Sequence, residues 1–293
     1  MLFHGAITAL VTPFRNNEID EEAYRKLIDE QIAAGIHALV PCGSTGESAT
    51  MSHAEHERAV AICVDQVKRR VPVLAGSGSN NTAEAIALTK SAKQAGADGA
   101  LLITPYYNKP TQEGLYQHYA AVARAVDIPM VLYNVPGRTG CNMLPPVIAR
   151  LARDFPNIIG VKEATGNLAQ GSEVIQACPE GFLVLSGDDF TALPLMSIGG
   201  AGVISVSSNI IPDKVAAMCN AFERGDMKEA VRIHYECYAL HKAMFFETNP
   251  VPVKQALAMM GRMTGDVRLP LCAMSEANEA KLRDVLRQYG LVK

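Results

Sequence analysis

The sequence predicts an α/β fold of the (β/α)8 TIM-barrel class with a C-terminal helical extension. Three observations carry that prediction. Eight short apolar runs alternate with amphipathic helical stretches over about 220 residues, which fits a closed parallel barrel better than an open doubly wound sheet. A helix-ending glycine followed by a strand recurs as AAGIHALVPCG, QAGADGALLITP and GGAGVISVSS, a faint repeat of one helix-to-strand joint. The dinucleotide fingerprint of an open sheet is missing, since the chain reads GSGSNN from Gly76 and GxGxxG would need glycine at Asn81.

Taken in order, the first strand is AITAL, Ala6 to Leu10. A helix follows Asp20, with Tyr24, Leu27, Ile28 and Ile32 at helical spacing and Glu21 and Glu22 at the positive end of its dipole. Gly35 ends it. The second strand is ALVPCG, Ala38 to Gly43, and Ser52 with Glu55 three residues later forms a capping-box signature for the next helix. PVLAG, Pro72 to Gly76, precedes a helix from about Asn81 to Ala95. GALLITP, MVLYN, IIGVKE, FLVLSG and GVISVS supply the remaining five strands. After Arg224 the pattern is wholly helical, so residues 1–224 are expected to form the barrel and 225–293 a helical region suited to oligomer contacts or a lid.

Composition narrows the function. The 27 basic and 30 acidic residues leave a net charge of −3 with no block of one sign, so nucleic acid and anionic membranes have no electrostatic footprint here. Seven scattered cysteines, an odd number without a C-x-x-C pair, read as free thiols of a cytoplasmic protein. The uncharged stretch from Thr191 to Pro212 carries Pro194, Gly199, Gly200 and Gly202. It reads as a helix, a turn and a buried strand rather than a membrane span.

Barrels of this class place their chemistry at the C-terminal ends of the strands. Lys162 interrupts the apolar run NIIGVKE there, on the same strand face as Gly160. Burial disfavours a charged ammonium and frees an amine that can attack a carbonyl. A lysine that snorkels to the rim or pairs with Glu163 remains the alternative. Tyr133 ends the neighbouring run VLYN, either as a core tyrosine or as a proton shuttle beside that amine. The loop GSTGES offers the Ser44 and Thr45 hydroxyls and several backbone N–H groups as a carboxylate cradle. Arg138, just past the fifth strand, could clamp a substrate carboxylate, although loop arginines are common. His53 and His56 lie one turn apart, but HAEHE is not HExxH and no metal set accompanies it.

GSTGES, TPYYNKPTQEGLYQHY, YNVPGRTG, IIGVKEATGN, LSGDD and GGAGVISV occur in one order along nearly the whole chain, which closely resembles the dihydrodipicolinate synthases. The resemblance implies a Schiff-base lyase that condenses pyruvate with L-aspartate 4-semialdehyde on Lys162 in the diaminopimelate route to lysine, without metal or organic cofactor. It implies a hydroxyl relay of Tyr133, Thr45 and Tyr107 beside Ser44, with Arg138 on the semialdehyde carboxylate and Gly187 and Ile204 lining the pyruvate pocket. It also implies a homotetramer built as a dimer of dimers, Tyr107 reaching into the partner. Ser48, Ala49, His53, His56, Asn80, Glu84 and Tyr106 match the positions of a feedback site for L-lysine. Without the resemblance, they read as a solvated helix start. Ser44 stands where most of these synthases carry threonine and N-acetylneuraminate lyases carry serine, so a sugar-acid lyase is the nearest alternative. A barrel that only binds a keto acid is the more distant one, opposed by intact Lys162 and Tyr133.

Overall fold

The structure, a computed structural model, describes residues 2–293. Eight parallel strands form its centre: β1 Gly5–Ala9, β2 Ala38–Val40, β3 Leu74–Gly76, β4 Gly99–Ile103, β5 Met130–Asn134, β6 Ile158–Glu163, β7 Leu183–Ser186 and β8 Gly202–Ser205. The ladder runs β2-β1-β8-β7-β6-β5-β4-β3. A bridge from Leu39 to Val73 joins its two ends, and the ring closes. Helices α1 Glu21–Ala33, α2 His53–Val67, α3 Thr82–Gln94, α4 Gln112–Ala125, α5 Pro145–Asp154, α6 Leu168–Ala177, α7 Ala192–Ser197 and α8 Pro212–Glu223 connect the strands and follow the last one.

Alternation along each strand sorts the side chains. Leu101, Val131, Tyr133, Leu183, Leu185 and Ile204 fill the barrel, while Leu102, Leu132, Val161 and Val184 face the helices. Gly160 faces inward, where an added Cβ would lie 2.7 Å from Leu183 Cβ. The crowding leaves no room for a larger residue.

The helix starts follow the local signals. Ser52 and Glu55 make the reciprocal capping box of α2, and the Asn81 carboxamide accepts from Ala83 N and Glu84 N at the head of α3. At the three repeated joints Gly35, Gly96 and Gly199 all take positive φ. Each sits in the same C-cap, with the next N–H reaching back to Gln31, Ala92 and Leu195 respectively.

Two details depart from the sequence reading. β2 ends at Val40 rather than Gly43, because Pro41 has no N–H for the ladder and Cys42 turns to φ 56°. A small hairpin pairs Phe14–Arg15 with Glu18–Ile19 around Asn16 and Asn17, both at positive φ. The adjacent asparagines in FRNNEI are the turn signal that marks it.

Beyond Arg224, which caps α8, Gly225 turns the chain and Asp226 caps α9 Met227–Ala243. Helices α10 Val251–Met259 and α11 Glu276–Gln288 follow. All three share one apolar cluster with α1 and α2, so the extension is packed onto the barrel wall. Stretch 191–212 folds as α7, a glycine turn, β8 and a 3-10 turn. No helix among the described residues is long and apolar enough to cross a membrane, and all seven cysteines are free.

Candidate active site

Parallel pairing of β5 with β6 sets Tyr133 directly beside Lys162. Lys162 is 6% exposed, and its ammonium stands 4.2 Å from the centre of the Tyr133 ring. Among the described residues it makes no hydrogen bond or ion pair. Pairing with Glu163 is excluded by geometry, because that side chain points to the other strand face. There its carboxylate accepts from Asn134 Nδ2 at 3.2 Å, Gln170 Nε2 at 3.3 Å and Thr165 N at 2.8 Å.

At the end of β7, Gly187 N donates to Glu163 O at 2.8 Å. A Cβ on Gly187 would fall 2.4 Å from Ala164 Cβ, so this position has to be bare. Asp188 follows it. Burial pushes the Asp188 carboxyl up to about 6, against the pull of the nearby Lys162 and Arg138 cations. Ile204, on β8 opposite Ile7, is fully buried in the barrel interior.

Part of the GSTGES loop is closed on itself. Its Gly46, Glu47 and Ser48 N–H groups close turns onto the Gly43 and Ser44 carbonyls, so they are not free for an anion. The buried Thr45 hydroxyl instead accepts from Asn249 Nδ2 at 3.0 Å. Two residues on, Glu47 takes φ 57° and lies 2.5 Å from Lys254 Nζ on α10. Arg138 sits on the single helical turn Pro136–Thr139 after β5 and donates through Nη2 to Asn249 O at 3.0 Å.

A cavity of about 400 Å3 opens beside this loop. Its lining includes Ser44, Arg138 and Asn249, and also Ser48, Ala49, His53, His56, Glu84 and Tyr106. His53 Nε2 reaches across from α2 to Glu84 Oε1 on α3 at 2.5 Å, and Ser79 Oγ donates to the same carboxylate. These contacts hold the Glu84 carboxyl below its ordinary value. Burial does the same to the His56 imidazole by disfavouring its charged form. Asn80 is the one expected member outside the lining, its amide being engaged by Tyr106 O at 3.1 Å. Tyr107 takes φ 70° and is 91% exposed.

The profile described as "Dihydrodipicolinate synthetase family" matches residues 2–289. The chain belongs to that family. It is 62% identical over 292 residues to the 4-hydroxy-tetrahydrodipicolinate synthase of Nitratidesulfovibrio vulgaris (strain DSM 19637 / Miyazaki F), with all of both chains covered. Among solved structures, it is 44% identical to the chloride-inhibited dihydrodipicolinate synthase of Acinetobacter baumannii complexed with pyruvate, with a TM-score of 0.96 and 99% of each chain covered. It is also 41% identical to the dihydrodipicolinate synthase of Cyanidioschyzon merolae with lysine bound, again at a TM-score of 0.96 and 99% of each chain.

Lys162 and Tyr133 are thus neighbours across β5 and β6, Ile204 shares the barrel interior with Tyr133, Gly187 follows β7, and Thr45 and Arg138 meet at Asn249. The sequence reading does not reach Asn249, Asp188, Glu47 or Lys254. For Asp188, the paired acids of LSGDD directly after a strand were the available signal. Asn249 and Lys254 sit in ETNPVPVK, where two prolines interrupt an otherwise helical region and mark a segment with a structural duty.

Proposed function

We propose that Lys162 is the amine through which this 4-hydroxy-tetrahydrodipicolinate synthase, a lyase of the class I aldolase type, condenses pyruvate with L-aspartate 4-semialdehyde. One observation carries the reading: Lys162 is buried at a strand end with the Tyr133 ring against it and, among the described residues, no hydrogen bond or ion pair on its Nζ. A deprotonated Nζ adds to C2 of pyruvate, water leaves, and an imine forms. Loss of a C3 proton gives an enamine whose C3 attacks the aldehyde carbon, and the aldehyde oxygen takes up a proton. The product's own amino group then displaces Lys162 as the ring closes. Tyr133, Thr45 and the partner subunit's Tyr107 carry these protons, with Ser44 beside them, while Gly187 and Ile204 wall the pyruvate pocket. Arg138 holds the semialdehyde carboxylate, a charged contact worth on the order of 2–5 kcal/mol. Pyruvate with borohydride should add a reduced pyruvyl group to Lys162 in the wild type and equally in Arg138→Ala, which should nevertheless fail to condense. Label on another lysine would overturn the mechanism; normal condensation by Arg138→Ala would remove Arg138 from it.

The assembly follows from the same reading. Tyr107 is held in the left-handed backbone region with its ring almost fully in solvent, an arrangement that suits a site completed across a homotetramer made of tight dimers. Mixing inactive Lys162→Ala and Tyr107→Phe subunits should recover part of the activity, because some hybrid sites receive both intact residues. No recovery after verified subunit exchange would count against sharing. The unpaired thiols suit a cytoplasmic enzyme.

L-Lysine fits the cavity that Glu84 lines. Glu84, now held by His53 and Ser79, can exchange His53 for an ammonium, with His56, Ser48, Ala49 and Tyr106 around it and Asn80 steadying Tyr106. The relative with lysine bound supports the assignment. Acting apart from Lys162, lysine should inhibit partially and non-competitively toward the semialdehyde, through a coupling of about 1–3 kcal/mol. Calorimetry should register binding to the wild type and none to a still-active Glu84→Ala. No heat with the wild type at millimolar lysine would sink this part alone.

A further inference from the structure

The C-terminal extension contributes a side chain to the reaction centre. Asn249, buried at the head of α10, meets the centre at two points: Nδ2 donates to Thr45 Oγ1 at 3.0 Å, and its main-chain carbonyl accepts from Arg138 Nη2 at 3.0 Å. The other polar atom of its side chain, Oδ1, is buried with no partner. An amide nitrogen can only donate, so Thr45 Oγ1 must be the acceptor in that contact. The single Thr45 proton is then left for some other neighbour. Turning the amide over would bring Oδ1 to Thr45 and capture that proton, while burying the two Nδ2 protons in its place. The segment is pinned a second time by the Lys254–Glu47 pair, five residues beyond Asn249 and two beyond Thr45.

We infer that Asn249 is a positioning residue for this reaction: its amide sets the direction in which the Thr45 hydroxyl passes its proton, and its carbonyl holds the Arg138 guanidinium. The inference rests on the proposed role of Thr45 as a proton carrier. It assigns to one residue, far along the chain, the alignment of the relay with the carboxylate clamp.

Steady-state kinetics on Asn249→Ala, Asn249→Asp, Thr45→Val and the Thr45→Val/Asn249→Ala double variant test it. Asn249→Ala should lower kcat about tenfold to a hundredfold, leaving the yield of borohydride-trapped pyruvate on Lys162 unchanged. In the Thr45→Val background the same change should cost nothing further in kcat, because the hydroxyl that Asn249 directs is gone. Asn249→Asp keeps the shape of the side chain. At neutral pH its carboxylate should capture the Thr45 proton, and its activity relative to wild type should recover as the pH falls and the carboxyl can donate again. Losses that multiply in the double variant, an unchanged kcat in Asn249→Ala, or an Asn249→Asp profile parallel to wild type would each overturn the inference. Full turnover by Thr45→Val would remove Thr45 from the relay and this inference with it, while Lys162 trapping would still stand.

Discussion

Lys162 and Lys254 are both buried, and both hold their ammonium over an aromatic ring, 4.2 Å from Tyr133 and 4.4 Å from Phe14. They differ in what else is there. Lys254, 0% exposed, has the Glu47 carboxylate at 2.5 Å, and Glu47 is completed by Arg268 N at 3.1 Å. Burial lowers the proton affinity of Lys254, and Glu47 opposes that change. Lys162 has no such partner among the described residues. Burial is common to the two, so burial alone does not make a lysine a nucleophile. On the proposed mechanism the difference is that no ion pair occupies the Lys162 nitrogen, which leaves it open to a carbonyl.

Exchanging the two losses gives the sharpest test of that contrast. Lys162→Ala should lower turnover on the order of 10^4-fold or more while leaving the fold intact, since no ion pair or hydrogen bond is broken. Lys254→Met should do the reverse. It strands the Glu47 carboxylate in the interior, at a cost of about 3–5 kcal/mol, which corresponds to a fall of roughly 10 °C in Tm. Adding Glu47→Leu should then restore much of the stability, because two apolar groups replace a pair whose desolvation was costly. Should Lys254→Met keep its Tm and lose turnover as Lys162→Ala does, the division into a tied and a free lysine would collapse.

The two lysines also differ in how readily the sequence reveals them. Lys162 and Tyr133 end apolar runs, and the period of a strand together with adjacent order around a barrel is enough to put them side by side. The α2 and α3 starts were legible for the same reason, because capping is a contact between residues two or three apart. Lys254 and Glu47 lie 207 positions apart, and Asn249 and Thr45 lie 204 apart. Nothing local joins them. Their meeting depends on how α10 packs over the GSTGES loop, and on Glu47 taking a left-handed conformation that its residue type does not announce. Tyr107 is named in the sequence only through the family resemblance, and in the single chain its ring is exposed.

A third buried basic group refines the contrast with a smaller effect. His118 on α4 has Nδ1 2.9 Å from Thr82 Oγ1, while its Nε2 is buried without a partner. No carboxylate balances it, and burial pushes the imidazole down from 6.5 to about 4. If a counter-charge is what keeps a buried base ionised, His118 should be neutral throughout the working range of the folded protein. The sign follows from linkage: the unfolded chain takes up a proton near pH 6.5 and the folded one only near pH 4. The stabilisation is therefore complete above about pH 6.5 and is lost as the pH falls through about 4, to a limit of roughly 3 kcal/mol. Burial lowers His56, His234 and His241 in the same direction, so the wild-type curve alone cannot isolate one residue. Thermal unfolding of wild type and His118→Gln across that interval gives the difference directly. The variant should lose less stability on acidification, so the difference between the two curves should change by up to that limit between about pH 6.5 and 4. Parallel curves would mean that His118 finds a proton acceptor in the folded state, and that a counter-charge is not what separates these buried bases.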